Sequence, residues 1–400
     1  MHVMRIMHIM RIMRIMHANL RPVRHAIEIT ICCCLLAACA KRDIAVSTPI
    51  LQRYSFGEIV MGSHMRIELF APSSAEATAA ARAAFDRAHA LEQVLSDYRV
   101  DCEVGGLAAV AYRPTSISAD LASALRVSTR ISKATDGMFD ATTGATSQLW
   151  RAARQSGKLP DESAIASANS RGGWKQIQLS ADSSQLTFLR GDMHLDFGAI
   201  GKGITAQEAL ATLRALGINH AMCALSGDIA CGDAPCATDG WMIDVITGLD
   251  GVAPCRLKLN NRYVSTSGDE TQFLLVGGTR HSHIYDPRTG AAVVRRIVAT
   301  VIADDGAVAD ALATALCVGG PELLMHTANL RRDLGDFEAR VVEVDNSQSP
   351  AVTITSTTGW NPLASPPLNA PVSPPVPADV DQTAATAASS SSDLQAPRPK

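Results

Sequence analysis

Apolar and polar residues along this chain follow first a strand period and then a helix period. Phe56 to Phe70 alternates imperfectly, as in Glu58-Ile59-Val60-Met61-Gly62 and Met65-Arg66-Ile67-Glu68-Leu69-Phe70, which predicts a strand pair or one bulged strand. From Ser73 to Leu95 the alanine-rich run repeats on helical spacing, with Ser73 or Ser74 placed to cap its first turn. Asp120 to Ala134 reads as a second amphipathic helix and Asp161 to Asn169 as a short one. Trp174 to Leu195, with Ser-Ala-Asp-Ser-Ser in its middle, predicts a hairpin running into a glycine-rich loop over Asp196 to Gly203. A helix over Thr205 to Leu216 is closed by Gly217. Further strands are predicted over Ala221–Leu225, Trp241–Thr247, Tyr263–Thr266, Gln272–Val276 and Val298–Ile302. Runs of both kinds in one chain predict an α+β fold, as one domain or with a smaller lobe.

The two ends depart from this pattern. Met1, Met4, Met7, Met10, Met13 and Met16 recur every third position with His, Arg, Ile and Val between them, so residues 1–15 read as lying upstream of the true start. Arg21 and Arg24 then precede a short apolar run, Ile27 to Ala38, interrupted by Glu28, in the manner of a secretory signal. The run ends in Leu36-Ala37-Ala38-Cys39, which resembles a bacterial lipobox whose cysteine is lipidated. On this reading residues 1–39 are a signal peptide, Cys39 carries the anchor, 40–53 are a tether, and the folded part sits on the periplasmic side of the inner or outer membrane. The alternative is an uncleaved membrane-proximal helix. From residue 346 to Lys400 the chain turns to Pro, Ala, Ser and Thr, a composition that predicts disorder.

With 400 residues, 47% of them hydrophobic, the chain can bury a large core. A net charge of −3 without a basic stripe, and only 4% aromatic residues, exclude nucleic acid as a partner. In an oxidising compartment, Cys231 and Cys236 across their Gly-Asp-Ala-Pro loop are the expected disulfide, with Cys255 a competitor; Cys102 and Cys317 read as core residues.

The chemistry concentrates near the far end of the domain. Asp310 and Thr314 lie four residues apart in a helix-favouring stretch, Val308-Ala309-Asp310-Ala311-Leu312-Ala313-Thr314, so their oxygens emerge one turn apart on one face. A hard cation such as Mg²⁺ would bridge them and leave positions for phosphate oxygens, although taken alone such a pair is as readily a solvent-facing helix pair. Phe197-Gly198-Ala199-Ile200-Gly201-Lys202-Gly203 lets backbone amides approach a diphosphate, with Lys202 beside them, yet it matches no complete phosphate-loop motif and by itself is equally a tight turn.

Taken in order, several segments resemble the ApbE family of FAD:protein FMN transferases across residues 54–345. They are Met61-Gly62-Ser63, Leu95-Ser96-Asp97-Tyr98, Asp136-Gly137-Met138-Phe139-Asp140 with Leu149-Trp150, Leu195 to Gly203, Ser226-Gly227-Asp228, Ser267-Gly268-Asp269, His281 to Gly290, and Val308 to Thr314. The resemblance implies mixed and antiparallel sheets flanked by helices. It implies FAD as the substrate and Mg²⁺ held by the Ala199 carbonyl, Asp310 and Thr314. It further implies FAD contacts from Met61, Tyr98, Met138, Phe139, Asp140, Asp196, Lys202 and His283, and a base among His283 and Asp286 that acts with Lys202. The implied reaction moves FMN to a threonine hydroxyl of an acceptor protein, with membrane redox subunits as the usual clients, and releases AMP. Several positions depart from the family pattern: Gly201-Lys202-Gly203-Ile204 stands where Ala-Lys-Gly-Tyr is usual, Gln207 stands where an acid is expected, Ser226 replaces a glycine, and Ala108 stands in an Asn position. These leave open an FAD pyrophosphatase or a non-catalytic FAD-binding lipoprotein. Asp140-Ala141-Thr142-Thr143-Gly144-Ala145-Thr146-Ser147 resembles the acceptor motif itself, so self-modification at Thr146 is the alternative to a segment folded against the ligand.

Overall fold

A computed structural model describes residues 50–99, 101–107, 111–270, 272–345 and 351–365. The signal and lipobox reading, including Cys39, falls outside the described residues, as do Ala108 and residues 366–400. No helix among the described residues is long and apolar enough to cross a membrane.

In chain order the strands are β1 (Gln52–Val60), β2 (Ser63–Ala71), β3 (Thr115–Ser116), β4 (Ile177–Leu179), β5 (Gln185–Phe188), β6 (Ala221–Leu225), β7 (Asp228–Cys231), β8 (Trp241–Val245), β9 (Cys255–Leu259), β10 (Tyr263–Gly268), β11 (Phe273–Val276), β12 (Thr279–Ser282), β13 (Arg296–Ala303), β14 (Phe337–Asp345), β15 (Ala351–Ser356) and β16 (Ala364–Ser365). The helices of eight residues or more are α1 (Ser74–Leu95), α2 (Ala119–Ala134), α3 (Gly144–Ser156), α4 (Glu162–Asn169), α5 (Gly201–Ala215), α6 (Gly306–Gly319) and α7 (Thr327–Leu334).

The frame is an eight-stranded sheet in the order β1-β2-β6-β7-β10-β13-β14-β15, in which every neighbouring pair is antiparallel. This bears out the α+β expectation. The first two strands form a hairpin rather than one bulged strand, because Met61 and Gly62 both take left-handed backbone angles, φ 51° and 66°, in a two-residue turn. Ser73 caps α1 by accepting from the Glu76 amide, as the sequence predicts. Alanines on one face of α1 pack on β1, β2 and the apolar side of α5. α6 is buried almost throughout and lies against β10, β13 and α5. On the other side of the large sheet, the three-stranded sheet β16-β9-β8 closes a second apolar layer around Trp241, Leu257 and Trp360.

Three expectations change. Residues 351–365, placed by composition in a disordered tail, instead form β15 paired with β14, a short helix that buries Trp360, and β16 paired with β9. Val352 and Ile354 alternate with threonines there, and the neighbouring strand edge supplies the hydrogen bonds that a lone tail would lack. The expected Cys231–Cys236 disulfide is absent, and the six cysteines Cys102, Cys223, Cys231, Cys236, Cys255 and Cys317 are free. Cys231 is fully buried beneath Trp241 in the second apolar layer, whereas Cys236 is exposed. The helix predicted from Thr205 begins four residues earlier, so half of the glycine loop is its first turn.

Candidate active site

Helices α5 and α6 meet at their N-terminal ends, and two glycines make the meeting possible. A side-chain carbon on Gly203 would overlap the Gly306 carbonyl oxygen and sit 2.7 Å from Asp310 Cβ; one on Gly306 would lie 2.6 Å from the Gly203 carbonyl oxygen. Each helix then caps the other. The Gly203 amide donates to Asp310 Oδ2 at 2.9 Å, and the Gly306 amide donates to Gln207 Oε1 at 2.6 Å. Each of these is an amide in a first helical turn that has no partner within its own helix. Both capping side chains follow their own helix's glycine by four residues, so the two caps are mirror uses of one spacing. Gln207, a departure from the family pattern, therefore caps the Gly306 amide of α6 beside the N-cap Asp305, which accepts from the Ala307 and Val308 amides.

Lys202, between the two capped turns, reaches Asp228 Oδ2 at 2.8 Å and stands 3.8 Å from Asp310 Oδ2. Asp228 is fixed from its other oxygen by the Ser265 hydroxyl at 2.6 Å. Burial pulls the Lys202 ammonium down, but the carboxylates of Asp228 and Asp310 more than reverse it and its pKa is raised. Burial, followed by the Asp228 charge, pushes the Asp310 carboxyl well above the usual carboxylate range, with Lys202 pulling the other way. Asp310 is 2% exposed. One turn further along α6, Thr314 Oγ1 lies 3.1 Å from Ser267 Oγ on β10. Among the described residues no backbone amide donates to the Ala199 carbonyl, since the Gly203 amide turns to Asp310. Asp310 thus meets the start of α5, whereas Thr314 stands a turn further along α6 against β10; carboxylate, hydroxyl and carbonyl oxygens are the hard donors that Mg²⁺ prefers. No group of three or more His, Cys, Asp and Glu residues able to hold a metal occurs among the described residues.

A second cluster stands on the loop after α1. Arg151 of α3 binds Asp97 and reaches Asp196 Oδ2 at 3.1 Å, while its guanidinium carbon sits 4.2 Å from the centre of the Tyr98 ring. Asp196 Oδ1 in turn accepts from the Gly198 amide at 2.7 Å. Burial, then the Asp196 charge, raises the Asp97 carboxyl to about 6 against the pull of Arg151. Tyr98 is 77% exposed, so one face of its ring is covered by a cation while the ring itself stays open to a ligand.

The remaining expected contacts fall into two groups. His283 is half-buried, and its Nδ1 lies 3.0 Å from the Gln272 carbonyl, which can only accept. The proton is therefore on Nδ1 and Nε2 keeps its lone pair. Burial, offset in part by that carbonyl and reinforced by Arg154 and Lys202, lowers the His283 pKa, so the ring is neutral at pH 7. Met61 is half-buried in the β1–β2 turn with its sulfur 3.6 Å from the Thr205 hydroxyl, and Met138 packs half-buried at the edge of the core.

The other group is occupied by the fold. Phe139, 3% exposed, is a core residue. Asp140 gives both oxygens to its own surroundings, Oδ1 to the Thr142 amide and hydroxyl and Oδ2 to the Trp174 amide at 2.9 Å. Asp286 is engaged by the Arg288 backbone and guanidinium within one turn. Thr146 lies in the first turn of α3 and is buried, at 1% exposure. Sequence reasoning passed over Asp228 and Arg151 as functional residues. Asp228 stood within a quoted motif, but nothing local to Arg151 marked it.

A sequence model of the ApbE family matches residues 61–338. Over 299 residues the chain is 26% identical to the FAD:protein FMN transferase of Klebsiella pneumoniae (strain 342), covering 72% of this chain and 85% of that protein. It is 28% identical over 290 residues to the FAD:protein FMN transferase of Treponema pallidum (strain Nichols), covering 68% and 80%. Among solved structures, the apo form of the Pseudomonas stutzeri flavinyl transferase ApbE superposes with a TM-score of 0.67 at 24% identity, over 78% of this chain and 97% of that one. The flavin transferase ApbE from Vibrio cholerae gives a TM-score of 0.67 at 20% identity, over 78% and 100%.

Proposed function

The chain belongs to the ApbE family, and from that premise we propose that it transfers FMN from FAD to a threonine hydroxyl of an acceptor protein and releases AMP. The observation that carries this reading is the placement of Lys202 and Asp310 at the meeting of two helix N-termini: the helix ends and the ammonium favour a diphosphate, and the Asp310 carboxylate is the group that would draw a divalent cation. Asp228 holds Lys202 at hydrogen-bonding distance while Asp310 stays beyond it, so one charge serves phosphate oxygens and the other is left for a metal. Ala199, Asp310 and Thr314 would hold Mg²⁺, which when bound neutralises diphosphate charge.

The threonine oxygen attacks the phosphorus of the FMN half, the bond from that phosphorus to the bridging oxygen breaks, and AMP leaves with that oxygen. His283 Nε2, unprotonated at neutral pH, takes the threonine proton. Lys202 steadies the charge that grows on AMP. The Arg288 guanidinium engages Asp286 within its own turn, which supports His283 over Asp286 as the base.

The test incubates the protein with FAD, Mg²⁺ and a threonine-bearing acceptor, followed by in-gel flavin fluorescence. Fluorescence on the acceptor that disappears in Asp310→Ala supports the reading. AMP release without labelled acceptor would replace it with a pyrophosphatase, and neither product with an FAD-binding protein. We further propose export and a lipid anchor at Cys39, with membrane redox subunits as acceptors. Metabolic labelling with a fatty acid that persists in Cys39→Ser would overturn the anchor.

A further inference from the structure

Tyr98, Arg151, Asp196 and Gly198 form an unbroken chain of contacts from an exposed ring to the turn before α5. Arg151 is its hub. One guanidinium nitrogen, Nη2, donates to both Asp97 and Asp196 and, with Nε, to Ser147 Oγ, while the flat face of the group carries the Tyr98 ring. A planar guanidinium can donate from its edge while its face lies on a ring, whereas a compact ammonium has no such face. Three separate segments of the chain meet there: the loop after α1, the middle of α3, and the turn that presents the glycines. Without Arg151 the Tyr98 ring, 77% exposed, would have no partner to fix its plane, and Asp97 would face Asp196 unneutralised.

We propose that Arg151 is a positioning residue that fixes Tyr98 as a stacking platform and holds it in register with the phosphate seat, so that the flavin ring and the diphosphate of one FAD are bound as a unit. This rests on the flavin-transfer reading. Linking the two seats through one rigid cation raises the effective concentration of one half of the ligand at its seat once the other is bound.

The test titrates the full chain with FAD for affinity and with FMN for quenching of flavin fluorescence, which reports ring stacking and which a merely structural residue would not change. Arg151→Lys, Tyr98→Ala and the double variant are compared, each with a melting curve. Arg151→Lys is expected to weaken FAD by roughly tenfold, the worth of a cation–π contact and ring ordering, and to lose most of the quenching. The double variant should be no weaker than Tyr98→Ala alone. Quenching retained in Arg151→Lys, or losses that simply add in the double variant, would overturn the proposal. Should Arg151→Lys be unfolded at the titration temperature, Asp97→Asn releases one anchor of the guanidinium without creating an unpaired charge; it should lose part of the quenching, and unchanged quenching overturns the proposal as well. Wild-type protein that binds neither FAD nor FMN would instead sink the transfer reading.

Discussion

Replacing Gly203 with alanine puts the helix meeting to a direct test. Its φ is ordinary, so the new methyl group acts only by contact: it would overlap the Gly306 carbonyl oxygen and sit 2.7 Å from Asp310 Cβ. Neither neighbour is the flexible end of a side chain, so α5 and α6 must part by several tenths of an ångström. Overpacking of this kind costs about 1 to 3 kcal/mol. Parting also stretches the 2.9 Å bond from the Gly203 amide to the Asp310 carboxylate, and a hydrogen bond to a charged group is worth about 1.5 to 3 kcal/mol. Alanine recovers about 1 kcal/mol of helix propensity. The net loss is roughly 1.5 to 5 kcal/mol, a large share of the 5 to 15 kcal/mol typical of a domain. For a chain of this size that lowers Tm by roughly 3 to 10 °C. Calorimetry without FAD keeps ligand binding out of the comparison. Transfer, which needs Asp310 and Lys202 in place, should fall about a hundredfold. Gly106→Ala is the control, because a carbon there meets nothing within 4 Å and its φ is ordinary; it should be neutral or stabilising by up to about 1 kcal/mol. A Gly203→Ala protein that melts within about 1 °C of wild type and transfers normally would refute the reasoning.

Other consequences can be measured independently. Asp228→Asn keeps an oxygen for the Ser265 hydroxyl but frees Lys202 to close on Asp310, so half-saturating Mg²⁺ should rise about tenfold, or about 1.4 kcal/mol; an unchanged Mg²⁺ requirement would show that Asp228 does not keep the lysine away. The lowered pKa of His283 means that the unfolded chain binds its proton near pH 6.5 while the folded chain does not. Stability from this group is therefore present above about pH 6.5 and is lost as pH falls through it, and His283→Gln should flatten denaturation midpoints between about pH 7 and 5. Residue-resolved alkylation of native protein should label Cys236 first and Cys255 slowly, sparing Cys102, Cys223, Cys231 and Cys317 until unfolding. Burial raises the Cys231 and Cys317 thiols to about 12, which adds to their protection; a Cys231–Cys236 crosslinked peptide in the mass spectrum would contradict this order.

Much of the architecture could be read locally, and the reasons are local. Ser73 announces α1 because capping needs only the residues within its own turn. The strands Ala221–Leu225 and Phe273–Val276 follow from short apolar runs between turn residues. The early start of α5 could not be read that way: Gly201 and Gly203 argue for a loop, and the carboxylate that makes a helix tolerable there lies 107 positions away. The same distance hides Arg151, whose partners come from segments 54 and 45 residues away. Asp310 and Thr314, by contrast, sit one helical turn apart as their spacing required. Composition misled at Ala351–Ser356, where prolines further along outweighed a clear alternation of β-branched residues.

That last segment bears on how the chain can be cut. The family match ends at residue 338, inside β14, and every candidate site residue lies before it. Yet Thr357 holds the Glu338 carboxylate and the Ala339 amide, and Trp360 fills the space under β8 and β9. A shortened protein ending there would keep its chemistry on paper while baring the β13 edge and an apolar hollow, both of which invite other chains to pair. Recombinant trimming by homology alone would thus sacrifice solubility before it touched catalysis.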